Sequence, residues 1–233
     1  YGYFAGGFPS VVDRVDYSND TATASARGSL SGTTYKITTS GNADYGWIGD
    51  GWPGYGTRVQ RIDYSNDTPN TVFRGNLTYS ASSRSGTGSA NFGYAYGGGH
   101  PSGGAGQSTT NRINYSNDTA TASPRGNMLR GIKDGFAISK TDNALNAQPS
   151  AFFLPSSTVI ENVVPQGTDF GYVGGGNPGS APYHTTVDRI DYSNDTATAS
   201  PKGPISSARA LLAATGNASF GYFAGGTTPS ITV

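Results

Sequence analysis

The residues with most chemical potential recur at fixed spacing. Asp-x-Ser-x-Asp occurs at Asp16 and Asp20, Asp63 and Asp67, and Asp191 and Asp195, while the remaining copy begins with Asn114 before Asp118. Carboxylates spaced along a loop could offer oxygen ligands to Ca²⁺. No bidentate Glu follows, however, and Asp at a tight turn bonds its own backbone without a metal, so the turn reading outweighs calcium. Zinc or copper fares worse, because His100 and His184 are the only histidines and cysteine is absent. No metal site and no cofactor is therefore assigned. The Asn-Asp-Thr triplets also match the N-glycosylation pattern at Asn19, Asn66, Asn117 and Asn194, with further matches at Asn76, Asn114 and Asn217. A turn accounts for the repeated ones without sugar. Arg14, Arg61, Arg112 and Arg189 precede the turns and could line an anion funnel, but Asp13, Gln60, Asn111 and Asp188 stand beside them. Local pairing or a solvated strand face is the expectation. No nucleophile elbow, phosphate loop or distinctive histidine–acid pair is present, so no catalytic residue is assigned and the chain reads as a non-enzyme.

The elements that must position these residues are themselves repeated. "YSNDTATAS" runs from Tyr17 to Ser25, from Tyr115 to Ser123 and from Tyr192 to Ser200, with a worn copy, "YSNDTPNTV", from Tyr64 to Val72. A second motif, "GYFAGG" or a close variant, starts at Gly2, Gly46, Gly93, Gly171 and Gly221. "DGFAISK" from Asp134 aligns with "FGYVGGG" and is read as a weaker copy that divides the longest gap. Repeat starts near 2, 46, 93, 135, 171 and 221 then give five full intervals of about 36 to 50 residues.

One repeat shows the internal order. "FGYVGG" is a short aromatic strand ending in glycines, followed by the Pro-containing loop "GNPGSAPYH". "TTVDRIDY" alternates, with Ile190 and Tyr192 on the expected core face. "SND" supplies the hairpin tip between Asp191 and Thr196, and "TATAS" is expected to resume the strand with Ala197 and Ala199. "ISSARALLAAT" adds a further strand. Four short strands per unit of about 45 residues predict an all-β propeller, in which each small sheet buries its faces against its neighbours. The phrase's letter-for-letter identity exceeds what strand packing demands, and recent duplication is the simpler account of it.

Composition sets the outer bounds. The 233 residues include 35 Gly and 13 Pro, with only 34% hydrophobic and 13% charged; that suits many strands and tight turns and disfavours long helices. Lys plus Arg and Asp plus Glu balance at 15 each, which leaves no broad basic surface for nucleic acid. No run approaches the roughly 20 apolar residues of a membrane helix, so no membrane span is expected. The start at Tyr1 reads as a processed or trimmed terminus.

The order of glycine pair, "VDRIDYSNDT", "SPKGPISSAR" and the next aromatic strand resembles the kelch repeat of β-propellers, over nearly the whole chain. Kelch repeats usually carry a Trp after the hairpin turn, where this chain has Ala197 and Thr198. The wording also resembles repeats of propeller-type structural and tail-fibre proteins of aquatic bacteriophages. The resemblance implies one propeller domain, residues 1–233, of kelch-like four-stranded blades, on a virion or extracellular. "GYFAGG" at Gly221 repeats Gly2 to Gly7 in the same phase. Three readings stay open: the last strand completes a five-bladed ring, the chain is part of a six- or seven-bladed ring, or the spare strand joins a neighbouring molecule.

Loops after the glycine pairs vary freely around recurring prolines at Pro9, Pro53, Pro101, Pro178 and Pro229, while the hairpin phrase stays constant. That contrast separates scaffold from recognition surface. Trp52, Tyr55, His100, Tyr183 and His184 are the candidate ligand contacts, because aromatic faces stack on sugar C–H groups and polar tips bond hydroxyls. Two functions follow as expectations. One is a virion fibre or tail module that binds host-surface glycans through these loops; the other is a structural block of a filament or virion, whose partners are further copies of itself or other virion proteins.

Overall fold

The computed structural model describes residues 1–8, 10–100, 102–139, 170–179, 182–216 and 220–229. Their short alternating segments form five antiparallel sheets. Sheet 1 contains β1 (Gly2–Ala5), β2 (Val12–Val15) and β3 (Ser25–Ala26). Sheet 2 contains β4 (Thr38–Gly41), β5 (Tyr45–Gly49), β6 (Arg58–Asp63) and β7 (Val72–Asn76). Sheet 3 contains β8 (Ser85–Gly88), β9 (Phe92–Tyr96), β10 (Thr110–Asn114) and β11 (Ser123–Arg125). Sheet 4 contains β12 (Phe136–Ser139), β13 (Phe170–Gly174), β14 (Val187–Asp191) and β15 (Ser200–Lys202), and sheet 5 pairs β16 (Ala210–Gly216) with β17 (Gly221–Thr227). Sheets 2, 3 and 4 are simple meanders in chain order. In sheet 1 the glycine–aromatic strand comes first, and in sheet 5 it comes second.

Two expectations need correction. The "DGFAISK" stretch is not another copy of the glycine–aromatic strand: β12 pairs with β13, Phe136 opposite Gly174 and Ile138 opposite Tyr172, so it is the first strand of sheet 4. A repeat start near 135 therefore disappears, and the five intervals become four. Its apolar residues imitate the other strand type because both are short and apolar, which sequence alternation alone does not distinguish. The strand after the hairpin tip also starts later than "TATAS" suggests. β15 begins at Ser200, and Ala197 belongs to the tip. The register itself agrees with the alternation, since Ile190 is 2% exposed.

The core is divided by interface rather than pooled. Val12, Leu30, Ile48 and Ile62 fill the space between sheets 1 and 2. Trp47, Val59, Leu77, Ala95, Ile113 and Ala122 join sheets 2 and 3, and Tyr94, Tyr96, Met128, Ile132, Val173, Ile190 and Ala199 join sheets 3 and 4. Each sheet thus depends on its immediate neighbours, as expected for a stack of small repeats.

First strands β4, β8, β12 and β16 pack successively against one another. Just before each of β4, β8 and β12, and within β16, one non-glycine residue adopts left-handed backbone: Lys36 (φ 55°), Ser83 (58°), Asp134 (55°) and Leu211 (57°). These four form a chain of backbone bonds. Ser83 N–H donates to Lys36 O, Asp134 N–H to Ser83 O and Leu211 N–H to Asp134 O, at 2.9, 3.0 and 2.9 Å. A conformation that L-residues seldom adopt persists because each such residue takes part in this line of bonds between consecutive sheets.

Candidate functional site

Each long strand of a sheet has two ends, and the variable loops and the constant hairpin tips occupy opposite ones. At the tip end, the residue just before the phrase closes a local turn. Asp63 Oδ1 accepts from Ser65 N and Oγ at 2.9 and 2.6 Å, and Asp191 does the same with Ser193. These serine donors hold the carboxyls of Asp16, Asp63 and Asp191 below the usual carboxylate range. Asn19, Asn66, Asn117 and Asn194 each accept from the threonine two residues on. The sequon letters are thus turn letters as well; Asn217 lies outside the described residues.

The last aspartate of the tip reaches into the preceding sheet. Asp118 accepts from Arg61 Nη1 and Trp47 Nε1, both at 2.9 Å, and lies 3.5 Å from Arg74 Nε. Asp67 receives Arg14, Arg27 and Tyr3 in the same way, and Asp195 receives Arg112, Arg125 and Tyr94. The arginines therefore do not pair with their chain neighbours, as the sequence suggested, but with carboxylates 53, 57 and 83 residues away. Charge-assisted bonds to a largely dry carboxylate are short and directional.

The tip tyrosine adds a flat stack on the same aromatic. Tyr64 lies on Tyr3, Tyr115 on Trp47 and Tyr192 on Tyr94, with centroids 4.7, 3.8 and 4.5 Å apart. Burial pushes the Tyr64 phenol up to about 12 and raises Tyr115 and Tyr94 further. Two backbone bonds complete each joint: Gly75 N–H donates to Asp118 O and Ala122 N–H to Asn76 O, with Gly28, Asp67, Thr71 and Ser29 repeating the pattern. The glycine is needed for approach. A Cβ on Gly28, Gly75 or Gly126 would fall 1.8, 1.9 or 1.7 Å from a tip carbonyl oxygen. Tyr and Asp of the repeated phrase are thus contact residues between sheets.

The loop end carries the candidate ligand residues. Trp52 is half-buried and its backbone bonds reciprocally to Tyr35, whose ring lies 4.8 Å from the indole at 43°. Phe8 continues the row, 6.2 Å from Tyr35 and 78% exposed. Tyr55 is half-buried with φ 45°. His100 is exposed, and its Nδ1 accepts from Ser102 N. Tyr183 and His184 are half-buried; burial and then the Arg130 charge lower the His184 pKa. Loops of sheets 3 and 4 touch directly, since Gly106 N–H donates to Pro178 O at 2.8 Å and Lys133 Nζ to Gly104 O. Pro9 and Pro101 lie outside the described residues. Tyr35 and Phe8 were not chosen from the sequence. Phe8 follows the glycine pair in plain view, but Tyr35 belongs to the preceding segment and meets Trp52 only through a bridge across the chain.

Nearby, Asp188 accepts from Leu129 N at 3.3 Å and leaves Oδ1 buried without a partner. Gln60 and Asn111 at matching strand positions accept from Ser31 N and Thr78 N. Burial raises the Asp188 pKa. A shallow depression of about 310 Å³ lies at the other end of the molecule, lined by Ala43, Asp44, Tyr45, Asp63, Tyr64 and Ser65, away from all five candidates. Among the described residues no three His, Asp or Glu side chains gather closely enough to hold a metal ion, and no helix is long and apolar enough to cross a membrane.

This series of antiparallel sheets, three of them four-stranded and the first four clasped in turn, defines an all-β, propeller-like protein. Among solved structures, one titled "Structure of YjhT" is similar with a TM-score of 0.66 at 10% sequence identity, over 98% of this chain and 73% of that one. At that identity the likeness concerns the fold alone. No protein-family model matches the chain, and no curated protein does.

Proposed function

We propose that the chain is a non-enzymatic recognition module of virion-fibre or tail type, extracellular, with kelch-like sheets as scaffold and the loop end as a glycan-binding surface. The observation that carries this reading is the contrast between the ends. At the tip end the Tyr and last Asp of three copies are spent on the neighbouring sheet, and the Asn side chains on the turn itself. At the loop end, Phe8, Tyr35 and Trp52 form an accessible aromatic row, and Tyr183 and His184 stand half-exposed on the last loop. Aromatic faces flanked by backbone polar groups suit sugar rings, which present C–H patches and hydroxyls together.

A glycan array probed with the purified protein tests this. Binding by the parent chain, lost in Trp52→Ala/Tyr183→Ala while the melting temperature stays nearly unchanged, is the expected result. Equal loss of folding would place these rings in the core and remove the reading. A second function, a building block joined to further copies or to other virion proteins, is favoured by one specific observation: β17 repeats β1 and its outer edge is unpaired among the described residues.

A further inference from the structure

The chain is neutral overall, but its charges are sorted between the two ends of the sheets. At the tip end the accessible charges are carboxylates: Asp44 is exposed, and Asp16, Asp63 and Asp191 are half-buried. Of the arginines nearest to them, Arg14, Arg61 and Arg112 are taken up by Asp67, Asp118 and Asp195, and Arg189 lies 4.0 Å over the Phe170 ring. At the loop end the order reverses. Lys36, Arg58 and Arg130 are exposed and Lys133 is half-buried. Asp13 and Asp134 are the accessible carboxylates there among the described residues, and both are half-buried. Asp50 and Asp188 are buried.

Loop-end cations adjoin the aromatic pair of Tyr35 and Trp52. Lys36 follows Tyr35 in the chain and is exposed, with no ion-pair partner among the described residues. Arg84 reaches Asp50, two residues before Trp52. It is 4% exposed; Nη1 donates to Asp50 O at 2.9 Å and Nη2 to Tyr79 O, while Nε is buried without a partner. The Asp50 carboxylate already accepts from Arg58 Nε at 2.9 Å, so Arg58 and Arg84 share one negative charge. A buried cation bonded only to carbonyls is screened little by salt and adds to the field over the surface above it. Sheets 3 and 4 continue the pattern. Arg130 stands near enough to His184 that its charge, after burial, helps to lower the imidazole pKa, and Lys133 Nζ donates to Gly104 O.

We infer that the loop end is a binding surface for an anionic polysaccharide, with Tyr35 and Trp52 under its sugar rings and Lys36 and Arg130 facing its carboxylate or sulfate groups. The inference rests on the glycan reading of the loop end and adds the charge of the ligand to it. A uronate or sulfated sugar carries an apolar C–H face and a fixed negative charge on one residue, and an aromatic ring with a cation beside it matches both. Two other anions fit the surface less well. Duplex nucleic acid presents a charge about every 1.7 Å, far denser than Lys36, Arg58, Arg130 and Lys133 can neutralise. The acidic tip end of a second copy has Tyr64, Tyr115 and Tyr192 already stacked inside the joints between sheets, so it brings no face for Tyr35 and Trp52 to cover.

Biolayer interferometry on immobilised polygalacturonate, dextran sulfate and neutral dextran tests the inference. Expected is binding of the parent chain to one or both charged polymers and much weaker binding to dextran, the better polymer telling carboxylate from sulfate. Affinity should fall as ionic strength rises from 0.01 to 0.1 M, which shortens the Debye length from about 30 to about 10 Å. Lys36→Gln/Arg130→Gln should weaken binding roughly two- to thirtyfold, the range for losing two exposed ion pairs, with an unchanged melting temperature. Asp44→Asn changes the net charge at the other end and should bind as the parent does; an equally large effect there would show that total charge, not its placement, decides, and overturns the inference. Duplex DNA bound as tightly as the charged polymers overturns it, as does salt-sensitive association of the chain with itself in sedimentation velocity. Binding of neutral glycans but of neither charged polymer overturns it and leaves the glycan reading standing, whereas failure to bind any glycan removes both.

Discussion

Replacing Asp118 by alanine removes the acceptor shared by Arg61, Arg74 and Trp47 and leaves two guanidinium groups and an indole N–H around an emptied pocket. The carboxylate is 8% exposed, and the two arginines are 20% and 23% exposed. Breaking a buried ion pair by deleting one partner costs about 3–5 kcal/mol. Because both arginines retain some contact with water, the lower end applies, about 3 kcal/mol. For a chain of this size 1 kcal/mol moves the melting temperature by roughly 2–4 °C, so the expected fall is about 6–12 °C. Trp47 is one of two tryptophans and stacks on Tyr115 of the same tip, so a thermal melt followed by tryptophan fluorescence reads the joint directly. Asp20→Ala is the internal control, measured in dilute solution. It alters the same letter of the same phrase where no sheet among the described residues receives it, and its melting temperature should equal the parent's. If Asp118→Ala melts with Asp20→Ala, the clamp carries no stability and the account of the repeated phrase is wrong.

Gly126→Ala should destabilise severely, since its Cβ would fall 1.7 Å from Ala197 O, while Gly203→Ala, facing open space, should leave the monomer's denaturation midpoint unchanged; equal effects would refute the close-approach argument. Ile190→Ala should cost about 2–5 kcal/mol in equilibrium unfolding, and a negligible loss would contradict the register of β14. Asp188→Asn, which restores the amide type found at Asn111 and Gln60, should raise stability at neutral pH. Burial lifts the folded-state pKa of Asp188 above its ordinary 3.8, so the folded chain holds this proton more tightly than the unfolded one. Its contribution falls as pH rises from 3.8 through the raised value. The advantage of Asp188→Asn should therefore shrink on acidification across that window, and a pH-independent difference would show that the burial of charge is not the cause.

Much of the architecture was legible because its signals are local. Alternation placed Ile190 inside, the Ser-Asn-Asp triplet marked a hairpin tip, and glycine pairs closed the aromatic strands; each depends on dihedral preference or side-chain period over a few residues. The contrast between constant tips and varied loops likewise needed only comparison of copies. β12 was misassigned because a short apolar strand looks alike whether it comes first or second in its sheet, and only pairing with β13 decides. The partners of Arg14, Arg61 and Arg112 could not be read from neighbours in the chain, since the matching aspartates arrive from the next sheet.

The sequence alone determined a repeated small sheet, its turns, and which residues vary between copies, because covalent neighbours and backbone preference suffice for those. Only the tertiary structure decided that Tyr and Asp of the phrase clasp the preceding sheet, that Tyr35 meets Trp52, and that Lys36, Ser83, Asp134 and Leu211 hold left-handed backbone in a line of bonds. Those features arise when separate sheets come into contact, and their energies come from the desolvation and geometry of groups far apart in the chain.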